Sequence, residues 1–306
     1  MANTTGLAKR ITTLFRSGQL DLSGRPGAPT PGWDAMPEVS MAHQLRADGA
    51  TDAEVRLYIT FTSALDRARD ADLLWRRSAR LFSKIRWPFA PEECVSRPIG
   101  ELKDSLRQSG VSQRHGPDSS GWRRIAQTLS KPALAPEAHA AVFEGRGDAG
   151  ALLMELENLQ EGRALFPFLR GPKVGPMWVR MLAYPGGAAM TSLETLPVAV
   201  DVQVRKVTEY LGVTDTLGDN LEKVRGLVQA RWAEDVRVNG AEGPSSLTDT
   251  CAALDPALWF YAKWGCTWCE RSGRKVPISA ICDICRFGEL HGSRHRTLGH
   301  TLLERF

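Results

Sequence analysis

Apolar residues recur at helical spacing along most of the chain. The cleanest run opens at Thr51, where Thr51 and Glu54 form a capping-box pattern and Val55, Tyr58, Ile59, Thr62 and Leu65 follow on one face. The spacing predicts continued helix over 66–86, a break at Pro88 and Pro91, a helix over 99–109 and a polar Gly/Ser loop over 110–121. Further helices are predicted over 122–129, 135–145 and 149–160, the last carrying Leu152, Leu153, Leu156 and Leu159 as its stripe. Others follow over 176–184, 202–211, 219–234 and 256–264. Asp255 and Pro256 read as the start of the last and Gly265 as its end. Strand-like alternation is short and rare, and no internal repeat is visible. The pattern predicts an all-α fold with short connections.

Composition narrows the class without naming a function. The 306 residues are ordinary in apolar and charged content. No apolar run is long enough to span a bilayer. Residues 1–17 carry Lys9, Arg10 and Arg16 but no continuous apolar core, so a secretory signal is not expected and a cytoplasmic location is. The turn-rich stretch 24–32 is a linker. A formal net charge of +4 tolerates a polyanionic partner. The arginines at 67, 69, 76, 77, 80 and 86 read by default as a solvated helix face.

Two stretches concentrate chemistry. The first, 168–182, is a Gly/Pro turn over 171–176 between two helical patterns. Gly171 and Gly175 permit close backbone approach, and the following helix presents N-terminal N–H groups to a phosphate. Arg170 and Lys173 add positive charge there. Trp178 reads as core. In the second, an apolar extended segment ends at Asp201, and a helix with Val204, Val207 and Leu211 inward follows until Gly212. Asp201 occupies an N-cap position, where backbone N–H groups and the helix dipole stabilise a carboxylate. A plain capping role is the alternative there.

Together the two stretches resemble the signature of the helix-hairpin-helix DNA glycosylases, the group of endonuclease III and the 8-oxoguanine glycosylases. Val200-Asp201-Val202-Gln203-Val204-Arg205-Lys206-Val207 is similar to that family's aspartate motif, with Gln203 in place of its usual histidine and Lys206 in place of its usual arginine. Specific likeness is confined to 168–212. The resemblance implies double-stranded DNA as partner and flipping of one nucleotide into a cleft between two helical subdomains. It also implies cleavage of its N-glycosidic bond, with Asp201 stabilising the cationic sugar. It implies DNA contacts from Arg170, Gly171, Gly175, Gln203 and Arg205.

In bifunctional members a lysine at the start of the helix after the hairpin forms a Schiff base and gives AP lyase activity. One register puts Lys173 there; the other puts Met177 there and leaves a monofunctional enzyme. The resemblance equally admits a glycosylase for modified bases of foreign DNA. A non-catalytic hairpin protein is the competing class.

Cys266, Cys269, Cys282 and Cys285 form two Cys-x2-Cys knuckles around a basic loop, 271–275, while Cys94 and Cys251 stand alone. The spacing favours a structural four-thiolate zinc site. The family often carries a [4Fe-4S] cluster at this point of the chain, with different spacing. His291, Arg294, His295 and Arg296 are a further candidate phosphate contact. The expected organisation is a 51–185 helical barrel ending in the hairpin. A second subdomain, 186–306, holds Asp201 and the metal-binding loop and packs with residues 1–50. The protein is expected to be monomeric.

Overall fold

The computed structural model describes residues 6–22, 27–67, 69–214, 220–273, 275–276 and 279–287. Helices dominate, as the hydrophobic pattern predicts. Among the described residues no helix is long and apolar enough to cross a membrane. Contacts divide the chain into two compact units. One holds Met1–Trp33, Pro197–Gly243 and Thr248–Phe306; the other holds Asp34–Leu196 and Pro244–Leu247. The N-terminal segment thus groups with the C-terminal part as far as Trp33. Residues 34–50 belong to the other unit.

The first unit begins with α1 (Leu7–Arg16). The main segment of the second unit follows in sequence and contains α2 (Pro37–Ala47), α3 (Asp52–Ala64), α4 (Ala71–Lys84), α5 (Pro91–Ser96), α6 (Ile99–Gln108), α7 (His115–Leu129), α8 (Pro136–His139), α9 (Ala149–Leu156) and α10 (Val174–Ala183). Short strand pairs brace it. β1 (Arg146–Asp148) pairs in parallel with β4 (Ala189–Thr191), and β2 (Leu159–Gln160) pairs antiparallel with β3 (Arg163–Ala164). The first unit resumes with α11 (Val202–Tyr210), α12 (Leu221–Asn239), α13 (Cys251–Phe260) and α14 (Thr267–Ser272).

The core of the second unit is aromatic. Phe61 stacks on Trp122 at 4.9 Å, and Phe89 meets both Trp122 and Phe82 edge-on. Trp178 is fully buried and donates from Nε1 to Thr60 Oγ1 at 3.0 Å, a core role as its spacing predicts. The Thr51–Glu54 capping box forms on α3 as expected.

Several boundaries differ from the sequence expectation, each for a local reason. Helix does not run through 66–86: it breaks after Leu65, and Asp70 caps α4 by accepting from Leu73 N. The stretch 110–121 is not all loop, because α7 already starts at His115. Gly116 and Pro117 fall in its first turn, where a missing N–H costs nothing. The 149–160 helix stops at Leu156. Glu161 and Gly162 both adopt positive φ, the requirement of a two-residue hairpin loop, so Leu159 lies exposed on β2 instead of on the helical stripe.

Pro256 does not open a helix. Thr250 caps α13, accepting from Ala253 N at 3.3 Å, and Pro256 sits inside. Gly265 does not end it either: a π-helical segment, Tyr261–Cys266, runs on into α14.

Of the arginine run, Arg76, Arg80 and Arg86 are exposed as expected, and Arg69 and Arg77 depart from a solvated face. Arg69 Nη1 donates to Val111 O, and Arg77 Nη1 donates to Gly110 O at 3.2 Å. Outside that run, buried Arg56 donates to the carbonyls of Val142, Phe143 and Gly186. Gly145, at φ +68°, leaves room for its guanidinium, which an added Cβ would meet at 3.0 Å.

Glu38 and Arg180, 2% and 3% exposed, form an ion pair at 2.8 Å. Breaking a buried pair strands one charge, whereas replacing both members by apolar residues removes the desolvation cost. Glu38→Leu alone is expected to cost about 3–5 kcal/mol in urea unfolding, and Glu38→Leu with Arg180→Met to recover most of it. A double variant no more stable than the single one would contradict this reading.

Candidate active site

Asp201 is built into place from three sides, all within the first unit. The segment leading to it is extended, with Val198 and Val200 fully buried. Asp255, on α13 and itself buried, accepts the Ala199 N–H at 2.8 Å. Gln229, on α12, donates from Nε2 to Val198 O at 3.0 Å. Asp201 then caps α11: its Oδ1 accepts from Gln203 N at 2.8 Å and Val204 N at 2.9 Å. The residue is half-buried, so the carboxylate is anchored yet reachable. Val202 beside it is 64% exposed, an apolar side chain left facing outward at the mouth of the helix.

Asp255, Gln229 and Val202 were not legible as site residues in the sequence. Asp255 stands before Pro256 in the pattern of a helix opener, and no local pattern marks a side chain that reaches 56 residues back.

The other expected contacts fall out unevenly. Gln203 is half-buried, and among the described residues its Oε1 has no hydrogen-bond partner. Arg205 turns along its own helix to buried Glu209, Nε to Oε1 at 2.6 Å. Lys206 Nζ donates to Glu270 Oε2 at 2.8 Å, and Tyr210 Oη donates to Glu270 Oε1 at 2.8 Å, which ties α11 to α14.

The hairpin residues lie in the second unit, between α9 and α10. Arg170 is exposed, and Lys173 occupies the N-cap position of α10, half-buried. Met177 is buried inside that helix. Gly175 packs α10 closely on α9, since an added Cβ would lie 3.3 Å from Leu153 Cδ2 and 3.5 Å from Leu156 Cδ1. Gly171 adopts φ +98°. Its N–H donates to exposed Glu157 Oε1 at 3.0 Å, so an acidic side chain occupies a donor expected to meet a phosphate.

All four knuckle cysteines, Cys266, Cys269, Cys282 and Cys285, line one cavity of about 30 Å³, with Val207, Tyr210 and Leu211 of α11 as another wall. Cys269 Sγ accepts the Val276 N–H at 3.3 Å. Burial, then the neighbouring sulfurs of Cys285 and Cys269, push the Cys266 thiol well up, with Lys206 opposing. Among the described residues no three His, Cys, Asp or Glu side chains are spaced to hold a metal ion. Arg274 of the basic loop and the cluster His291, Arg294, His295 and Arg296 lie outside the described residues.

No family model, curated protein or solved structure matched the chain in comparisons with known proteins.

The two remaining cysteines are structural. Burial raises the Cys94 thiol to about 12 against the pull of Arg123, and burial with Asp255 raises Cys251 to about 12. Far below that value the thiolate fraction is negligible. At pH 8 the native protein is expected to leave Cys94 and Cys251 unmodified by a thiol-disulfide reagent, while denaturation with a chelator exposes all six cysteines. Fast native labelling of either residue, mapped by peptide mass, would refute this.

Proposed function

We propose that the chain is a DNA N-glycosylase with Asp201 as its catalytic carboxylate. The observation that carries the reading is the construction around Asp201. A buried extended segment, held by Asp255 and Gln229, delivers a half-buried carboxylate to the N-terminus of α11. A plain cap needs no such bracing of the preceding chain. A carboxylate fixed before substrate arrives costs no reorganisation when positive charge develops on a sugar. In the reaction the C1′–N bond breaks and its electron pair leaves with the base. Water then adds at C1′, giving up its proton to the carboxylate, or Lys173 adds as a neutral amine. The lysine route is supported by Lys173 standing at the N-cap of α10 while Met177 is buried.

The four cysteines suit a structural metal in kind, and all four line one cavity. The two Cys-x2-Cys pairs suit one tetrahedral zinc ion better than a four-iron cluster. Cys266, Cys269, Cys282 and Cys285 would hold it, and the Val276 N–H would orient the Cys269 sulfur. Metal analysis of the purified protein, with its visible spectrum, tests this: one zinc per chain without a charge-transfer band is expected, and a brown iron-containing protein would overturn zinc.

Screening base release from duplexes with different lesions and modifications identifies the substrate. On a substrate so found, Asp201→Asn is expected to reduce the single-turnover rate at least about a hundredfold, the scale of a lost transition-state electrostatic contact. Full activity in that variant would end the proposal. Borohydride trapping is expected to give a covalent adduct that Lys173→Ala loses; no adduct with wild type would leave water as the nucleophile.

Glu157 provides an independent check. If Gly171 N–H receives a phosphate, Glu157→Gln is expected to tighten duplex binding several-fold by removing a competing anion. Unchanged affinity would place the phosphate elsewhere.

A further inference from the structure

Three guanidinium groups gather in the second unit around residues that the proposed chemistry does not use. Asp118, 1% exposed in its side chain, accepts at Oδ2 from Ser112 Oγ, Gln113 N and Arg114 N, and from Arg69 at 3.5 Å. Arg69 is 6% exposed and is held there and at Val111 O, with Asp66 a second nearby carboxylate. Asp118 is therefore already engaged with Arg69, and Asp66 accepts from Trp75 Nε1 at 3.4 Å.

Arg67 and Arg114 are different. Both lie over the ring of Phe168, Arg67 at 3.9 Å and Arg114 at 5.8 Å from its centroid, and burial, then the Arg114 charge, lowers the affinity of Arg67 for its proton. Arg67 makes no ion pair among the described residues, and its buried Nε–H has no acceptor. Arg114 is 58% exposed and reaches Asp118 Oδ1 only at 3.6 Å. Buried donors without acceptors in a native protein point to a water or an ion that completes them.

The platform beneath these cations is specified by the sequence in two places. Phe168 adopts φ +77°, a strained conformation for a bulky residue of the kind found at ligand clamps. Its ring rests on Gly121 of α7, where an added Cβ would come within 2.3 Å of the ring. A guanidinium stacked by its face keeps its edge N–H groups for a planar or tetrahedral oxyanion. Phe168 also opens the stretch that continues into Arg170, Gly171 and Lys173.

We propose that Arg67 and Arg114, set on Phe168, form a phosphate subsite that takes a phosphodiester of the DNA backbone. The assignment to DNA rests on the glycosylase reading; the anion chemistry does not. It adds two contacts to those expected from the hairpin.

The test measures binding of an undamaged 20-base-pair duplex by fluorescence anisotropy over a range of salt, with the full chain. Each phosphate contact contributes about 0.9 to the slope of log affinity against log salt. Arg67→Gln and Arg114→Gln are each expected to weaken binding about tenfold at low salt and to lower the slope by about one. Arg107→Gln, whose side chain is paired with Asp104, is expected to change neither. Unchanged affinity and slope in both test variants would overturn the proposal. Far-UV circular dichroism checks folding. If Arg67→Gln unfolds, the exposed Arg114 decides alone.

Inorganic phosphate is the second probe. Millimolar phosphate that protects wild type but neither variant from heat, with duplex binding unaltered, would make the site one for free phosphate and overturn its assignment to DNA. A wild type that binds duplex with the expected slopes yet releases no base would sink the glycosylase reading and leave this one standing.

Discussion

A protein made of short helices must satisfy a great many helix ends. Each end leaves backbone N–H or C=O groups without intrahelical partners, and water cannot reach those inside. This chain meets the demand with charged side chains. Glu155 accepts from Glu137 N and Ala138 N at the start of α8. Asp148 caps α9 through Ala151 N and also clasps Thr191 and Ser192 after β4. Asp235 takes Gly6 N and Ala8 N at the start of α1. Arg56 covers the carbonyls of Val142 and Phe143 in a π-helical turn, Ala140–Glu144, and that of Gly186 beyond α10. Against that background a capping aspartate is ordinary, and Asp201 stands out by what holds the chain before it.

Much of the helical framework was legible in the sequence because apolar periodicity survives packing. The Thr51 capping box, the stop at Gly212 and the burial of Trp178 follow from local rules that the rest of the structure does not contradict. Failures came where a residue has two readings. Asp255 and Pro256 resemble a helix start, yet Thr250 competes for the same role one turn earlier and wins. Gly116 and Pro117 resemble a loop, yet a first helical turn accepts both.

The candidate site was legible only along the chain. Asp201, the hairpin glycines and the four cysteines stand in recognisable local order. Their partners come from distant helices. Asp255 reaches Ala199, Gln229 reaches Val198 and Glu270 reaches both Lys206 and Tyr210. The arginines show the same limit. A count of charges places them on a surface, whereas Arg56 and Arg69 are buried by bonds to carbonyls of sequentially remote loops.

The π-helical segment Tyr261–Cys266 joins α13 to α14 without interruption, so one helical rod carries Asp255 at one end and Cys266 and Cys269 at the other. A π turn holds one residue more than an α turn. The wider turn absorbs that extra residue, so the helix beyond it leaves on nearly the face it would have in regular winding. The rod could therefore lose one residue there and keep the cysteine cavity in phase with the strut that braces Asp201. The same deletion within α13 or α14 would turn one against the other by roughly 100°.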